Sequence, residues 1–162
     1  MTDDRIRVRP AAQEDAAVLA ELNAFVHDLH VEERPDVFRT ATGADELRTL
    51  FRSFLARESS LAYLAESGGR AIGYVTATVH RRAGDVLTRP RNFAAIEHIA
   101  VDPAAARVGA GSALVEAVRV AAREAGCTSL VTDVWAFNKA APAFFEDGLG
   151  FAPMRHWLEQ GL

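Results

Sequence analysis

Between Ile96 and Ala125 the chain carries residue types that could hold phosphate. An apolar run from Ile96 to Val101 leads into Asp102-Pro103, then into small residues that include Gly109 and Gly111. Apolar residues follow at Leu114, Val115, Val118, Ala122 and Ala125, the three-and-four spacing of one helical face. Gly126 comes next, a residue that closes a helix in the left-handed conformation at little cost. The pattern reads as strand, glycine-bearing loop, helix. The first turn of a helix has main-chain N–H groups with no partner inside the helix, and its peptide dipoles add partial positive charge. The glycines let the backbone come close to a ligand, and Arg107 adds a full charge. An anion, above all a pyrophosphate, suits such a loop. A tight strand-to-helix connection with nothing bound would read the same way from the loop alone.

Three nucleotide motifs compete for the stretch. The ATP-binding loop needs Lys-Ser/Thr straight after its last glycine, and Ser112-Ala113 stands there. The dinucleotide pattern fits at Gly109 and Gly111, with Asp133 at a plausible distance for a ribose-binding acid. Against it, Leu114 occupies the third glycine position and the glycines come well after the strand ends. The third candidate is a coenzyme A loop. Here the segment Ala106-Arg107-Val108-Gly109-Ala110-Gly111 resembles the Arg/Gln-x-x-Gly-x-Gly/Ala motif of the GNAT superfamily of acyl-CoA-dependent N-acetyltransferases. It departs at the first position, where Ala106 stands and Arg107 follows one residue on. Ile99-Ala100-Val101 before the loop is similar to the family as well. So are Val134, Asn138, Ala141 and Phe144 through Phe151 after it, and the opening Ile6-Arg7-Val8-Arg9-Pro10 with Glu14-Asp15-Ala16. The ordered set covers nearly the whole chain.

The resemblance implies a GNAT-like α/β fold: a mixed, mostly antiparallel central sheet flanked by helices on both faces, with residues 1–162 as one domain. It implies that acetyl-CoA is the acyl donor, passing its acetyl group directly to a primary amine, with no metal. The strand at Glu97–Val101 and the next strand would splay apart, and the pantetheine arm would pair with backbone at Ile99, Ala100 and Val101 as an added strand does. Ala106, Arg107, Val108, Gly109, Ala110, Gly111 and Ser112 would hold the diphosphate; Asn138, Ala141, Phe144 and Phe145 would complete the donor site. Asn138 and Ser112 would look the same as plain helix caps. Glu97 sits where the family often carries a glutamate that acts as base through water. On a regular strand its neighbour His98 points to the opposite face, so one of the two sees the acceptor. The family's tyrosine acid falls on Phe145, which has no proton to give the leaving sulfur. With a thiol pKa of about 8.5, release of the thiolate at pH 7 sacrifices about 2 kcal/mol, and Phe145→Tyr is expected to raise turnover. A non-catalytic acyl-CoA sensor with the same fold is the alternative.

Composition narrows the field. The chain of 162 residues is 49% hydrophobic and 25% charged, as an ordinary globular domain is. A net charge of −4 argues against nucleic acid. Cys127 is the single cysteine, which excludes an internal disulfide and fits a cytoplasmic protein. The start, with Asp3 and Asp4, is not a secretory signal, and no run is long enough to span a membrane. The acceptor stays open: small amine, antibiotic, peptide N-terminus or protein lysine. The resemblance implies a homodimer, which no stripe in the sequence shows.

The elements that must position these residues follow from patterning. Arg5–Arg9 alternates as a strand, and Gln13 to about Leu29 reads as a helix with Val18, Leu22, Phe25, Val26 and Leu29 on one face. A second helix starts near Thr42, a candidate cap with Asp45 three residues on, and its face is Leu47, Leu50, Phe51, Phe54 and Leu55. Leu61–Ala65 and Ala71–Val79 form a hairpin about Ser67-Gly68-Gly69. Arg81–Asn92 reads as a polar loop, Ser129–Trp135 as a strand, Asn138 to Gly148 as a short helix and Phe151–Leu158 as a last strand. His27, His30 and Glu33 share a helical side that could line an acceptor cleft, or hold a metal had a ligand cluster elsewhere completed the set. Asp28, Glu32, Glu33 and Asp36 nearby would favour a cationic acceptor. Cys127, Trp135 and Trp157 read as packing or subunit contacts rather than chemistry.

Overall fold

The computed structural model describes residues 5–40 and 43–162. Thr42, the expected cap of the second helix, lies outside them. The chain divides into two compact units, Met1–Thr132 and Asp133–Leu162.

The first unit is a five-stranded sheet in sequential order: β1 (Arg7–Pro10), β2 (Ser60–Ser67), β3 (Arg70–Arg82), β4 (Arg91–Val101) and β5 (Ser129–Thr132). Neighbours are antiparallel except β4 and β5, which run parallel because a helix crosses between them. Leu64 of β2, Tyr74 of β3 and Ala100 of β4 share one face, where they pack with Leu19 and Leu22 of α1 (Ala16–Glu33) and Phe51 of α2 (Ala44–Leu55). Ala65, Val75 and Ala77 alternate with these and are fully buried on the other side. There α3 (Ala110–Glu124), in contact with β2, β3 and β4, buries Leu114, Val115 and Val118. A sheet with helices on both faces is thus what the chain forms, as expected. No helix of the described residues is long and apolar enough to cross a membrane.

Two polar links fix this frame, one buried and one partly exposed. Asn23 of α1 donates from Nδ2 to the Tyr74 hydroxyl at 2.8 Å, both residues being buried. Arg9 of β1 joins Asp15 through a forked pair of 2.8 Å bonds and also reaches Glu66 at 2.8 Å, which ties the first strand to the start of α1 and to β2. At the far end of α3, Gly126 (φ 79°) donates to Arg123 and Cys127 donates to Ala122, the paired closing bonds of a left-handed helix stop. Gly126 ends the helix as expected, and Cys127 supplies a main-chain donor there.

Several boundaries differ from expectation. The expected polar loop Arg81–Asn92 is two residues shorter at each end, because β3 continues to Arg82 and β4 begins at Arg91, which leaves residues 83–90 as the connection. Phe93 is the reason: His80 stacks on its ring at 4.9 Å, and the Arg82 and Arg91 guanidinium groups lie over it at 5.4 and 4.8 Å. Asp85 closes the tip by accepting from the N–H groups of Leu87 and Thr88. Phe25, Leu29 and Leu50, expected on buried helical faces, are instead exposed. β5 stops at Thr132 rather than Trp135.

The C-terminal unit holds a short helix, α4 (Ala140–Pro142), running into a wider π turn over Ala143–Gly148. It starts after Lys139, so Asn138 is not its cap; Asn138 instead donates its N–H to the Trp135 carbonyl. Phe145 is buried, its ring edge-on to Phe144 at 4.9 Å and to Phe151 at 5.2 Å. The expected strand Phe151–Leu158 does not form. Pro153 lacks the N–H a ladder needs, and Met154, Trp157 and Leu158 are exposed rather than alternately packed.

Candidate active site

The site is built outward from one irregularity in β4. Along β3, Thr76 pairs with His98 and Ala77 pairs with Ile96, so Glu97 is an extra residue with no opposite number. Such a bulge bends its strand, sharpens the local twist and re-aims side chains. Two results follow from it. The first is that β4 leaves β5 immediately beyond the bulge, since the last pair between them is Ile96 with Thr132. No strand of the described residues pairs with Glu97–Val101 on the outer side. Because Asp102 donates its N–H to the Ile72 carbonyl, alternation turns the main-chain groups of Ala100 and His98 toward β3 and those of Ile99 and Val101 toward the open side. This is the separation of strands expected from the resemblance, with the backbone of Ile99 and Val101 on the open edge.

The second result corrects the sequence reading. A regular strand would send Glu97 and His98 to opposite faces, but the bulge sends both to the face of α1 and α2. Thr78 of β3 donates from Oγ1 to Glu97 Oε1, and the His98 ring meets Phe51 of α2 edge-on at 6.1 Å. Both residues keep an exposed surface. Partial desolvation of the His98 ring disfavours the imidazolium and lowers its pKa below the ordinary histidine value. The Glu97 carboxylate opposes that shift, while His30 and His27 add to it. His27 donates from Nε2 to the Arg39 carbonyl at 2.8 Å, and His30 donates from Nδ1 to the Val26 carbonyl at 2.6 Å, since a carbonyl can only accept. Beside them the Thr76 hydroxyl, 1% exposed and opposite His98 in the ladder, has no hydrogen-bond partner among the described residues. Among those residues no group of three or more His, Cys, Asp or Glu side chains is arranged to hold a metal ion.

The loop beyond β4 is set by Asp102, whose carboxylate accepts from the Ala104 N–H at 2.9 Å and from Arg70 at 2.8 Å. A single turn follows over Pro103–Ala105. The N–H of Ala106 is taken by the Pro103 carbonyl. Those of Arg107, Val108, Gly109, Ala110, Gly111 and Ser112 meet no acceptor among the described residues. Arg107 (φ 69°) and Gly109 (φ 86°) both lie in the left-handed region, and Gly109 is the cap from which α3 starts. The space where a Gly109 side chain would begin is open, with no atom within 4 Å. Ser112 makes no cap bond. Ala105 and Val108 line a cavity of about 300 Å³ with Ser67, Arg70 and Ile72.

The sequence singled out the loop, the edge at Ile99–Val101 and Glu97, and set the adjacent His98 on the opposite face; it gave no sign of Thr76 and Thr78 beside them. One signal was available: two consecutive polar residues, Glu97-His98, between Ile96 and Ile99 break the strand alternation where the bulge falls. Asn138, Ala141, Phe144 and Phe145 belong to the C-terminal unit. Ala141 and Phe145 are buried there, and Asn138 and Phe144 are half-buried.

A mostly antiparallel sheet with helices on both faces, two strands that part beyond Ile96 and a loop leading into α3 is the arrangement the resemblance implied. The sequence profile of the Acetyltransferase (GNAT) family matches residues 23–151, and the chain belongs to that family. Among solved structures, the tetramutant of the BH1408 protein from Bacillus halodurans superposes with a TM-score of 0.86 at 22% identity, covering 96% of this chain and 99% of that one. The aminoglycoside antibiotic 6'-N-acetyltransferase from Acinetobacter baumannii gives 0.72 at 19% identity, over 98% and 99% of the two chains. The ribosomal-protein-alanine N-acetyltransferase from Brucella melitensis biovar Abortus gives 0.67 at 16%, over 97% and 99%. At such identities the likeness is one of fold. No curated protein sequence matches the chain significantly.

Proposed function

We propose that the protein is an N-acetyltransferase that moves an acetyl group from acetyl-CoA directly to a primary amine. The observation that carries this reading is the run of main-chain donors from Arg107 to Ser112, which have no acceptor of their own at the head of α3. These donors, the Arg107 charge and the open space at Gly109 suit a diphosphate. Along the outer edge of β4, Ile99 and Val101 would pair with the amides of the pantetheine arm, with Ala100 between them. A main-chain N–H on that edge is also placed to donate to the thioester oxygen as charge develops on it. Ala106 belongs to the loop by position, its own donor being taken. Asn138, Ala141, Phe144 and Phe145 are proposed as donor contacts on the resemblance of their spacing alone. Glu97 is the carboxylate that meets the acceptor amine, supported by its place at the bulge and its bond from Thr78.

We read residues 1–162 as one transferase domain, since the family match crosses from one compact unit into the other. The acceptor belongs to the small-molecule or peptide amines, a class that includes the acceptors in the names of two fold neighbours. A cytoplasmic homodimer completes the proposal, and light scattering tests the assembly.

One observation favours a second reading, a sensor that binds acyl-CoA without turnover: Phe145 cannot protonate a leaving thiolate. A panel of amines assayed for CoA release separates the two. Steady release with any amine supports the transferase; tight binding of acetyl-CoA with no release under any amine supports the sensor. Gly109→Glu is expected to weaken acetyl-CoA binding at least tenfold by calorimetry, with the circular dichroism spectrum unchanged. Unaltered affinity would remove the loop from both readings.

A further inference from the structure

The bulge at Glu97 does more than separate β4 from β5. It leaves a pair of polar side chains of different chemistry side by side on the face covered by α1 and α2, where a regular strand would have placed one. We propose that His98 is the base that takes the acceptor's proton, with Glu97 drawing the cationic amine to it. The inference rests on the transferase reading and deepens its acceptor side.

The two residues differ in what they have free. Glu97 has one oxygen engaged by Thr78, which leaves the other to accept from an ammonium. Neither ring nitrogen of His98 makes a hydrogen bond to a described residue, whereas His27 and His30 each commit a nitrogen to a main-chain carbonyl. An imidazole is a stronger base than a carboxylate and exchanges its proton readily near neutral pH. The groups that bear on the ring are Glu97 from its own strand, Thr76 from β3, His27 and His30 from α1, and the uncharged Phe51 from α2. Crowding by protein and by the two histidines favours the neutral ring, which is the form that can accept a proton. Thr76 adds a buried hydroxyl without a partner directly across the ladder, a group that a bridging water or a polar acceptor atom would satisfy.

Atoms and charges balance through the step. Neutral His98 takes one proton from the substrate ammonium, leaving an amine with a lone pair. That pair forms the C–N bond at the thioester carbonyl. As the tetrahedral species collapses, the C–S bond breaks and its electron pair goes to sulfur. The remaining excess proton on nitrogen passes through water to the thiolate, and imidazolium returns its proton to solvent. Ammonium and thioester become amide, thiol and one released proton.

The test uses the full-length protein, acetyl-CoA and an amine found by the panel. For the wild type, kcat/KM should rise with pH and level off far below the pKa of the amine. His98→Ala should lose at least a hundredfold at pH 7, follow the amine's own ionisation up to high pH, and recover at least tenfold with added imidazole. His98→Gln should behave likewise without rescue, and its circular dichroism spectrum should match the wild type. Glu97→Gln should raise the KM for the amine and lower kcat/KM in proportion, while the pH at which kcat/KM levels off stays that of the wild type. In the free protein, the histidine ring signal missing from the His98→Gln NMR spectrum should titrate below the usual histidine range, and the acidic limb of kcat/KM should track it. A His98→Ala profile within twofold of wild type, or a limb that vanishes with Glu97→Gln instead, would overturn the assignment while leaving the transferase reading intact. Absence of CoA release with every amine would overturn both.

Discussion

Arg107 is held in a left-handed backbone conformation that disfavours any side chain by roughly 1–2 kcal/mol. Strain of this kind persists where the surroundings enforce it, often where a ligand is clamped. Tyr74 shows the opposite economy. Burial pushes its hydroxyl pKa well above the ordinary tyrosine value, and the bond from Asn23 only partly offsets that shift. The hydroxyl therefore stays neutral, as the partner of a buried amide. Tyr74→Phe should cost about 1–2 kcal/mol, the penalty for leaving the Asn23 donor unpaired, and chemical denaturation would read it as a lower midpoint with an unchanged slope. Phe145 bears on the same rule. A hydroxyl added at the buried Phe145, beside Phe144 and Phe151, is expected to lower stability by about 1–2 kcal/mol even where turnover rises.

Among the elements, β1 and the start of α1 depend on Arg9, Asp15 and Glu66. The Arg9 guanidinium holds the Asp15 carboxyl below the usual carboxylate range, so the unfolded chain binds that proton more readily than the folded one. The resulting stability is fully present above about pH 4 and is lost as pH falls through the depressed folded value. Arg9→Ala should cost about 1 kcal/mol near pH 7, a drop of a few degrees in Tm, and the gap from wild type should close in strong acid. His98 runs the other way in charge and the same way in pH. Its neutral form is favoured in the fold, so its contribution is complete above the unfolded histidine value of about 6.5 and erodes as pH falls below it. These links show how far the sequence could be read. The glycine loop, the stop at Gly126 and the β2–β3 hairpin follow from local rules of spacing and backbone freedom. The long β3–β4 hairpin and the early end of β5 do not, because a ring at Phe93 and an extra residue at Glu97 act across strands.

For the molecule as a whole, the sheet places a donor-rich loop and an open strand edge at one end of β4, with Glu97 and His98 on the adjoining face. The face beside Glu97 and His98 was not legible because α1 and α2 shape it, and their exposed Phe25, Leu29 and Leu50 break the amphipathic rule used to read them. The loose edge nonetheless offers a way to study the protein before any acceptor is known. In the free protein the amides of Ile99 and Val101 pair with no strand among the described residues and should take up deuterium quickly, whereas those of His98 and Ala100, turned to β3, should resist. Filling the edge with a CoA thioester should slow the first pair and leave the second as a built-in reference. The ratio of the two uptake rates then ranks acyl chains by fit, and equal protection of all four amides in the empty protein would contradict the strand geometry described for β4.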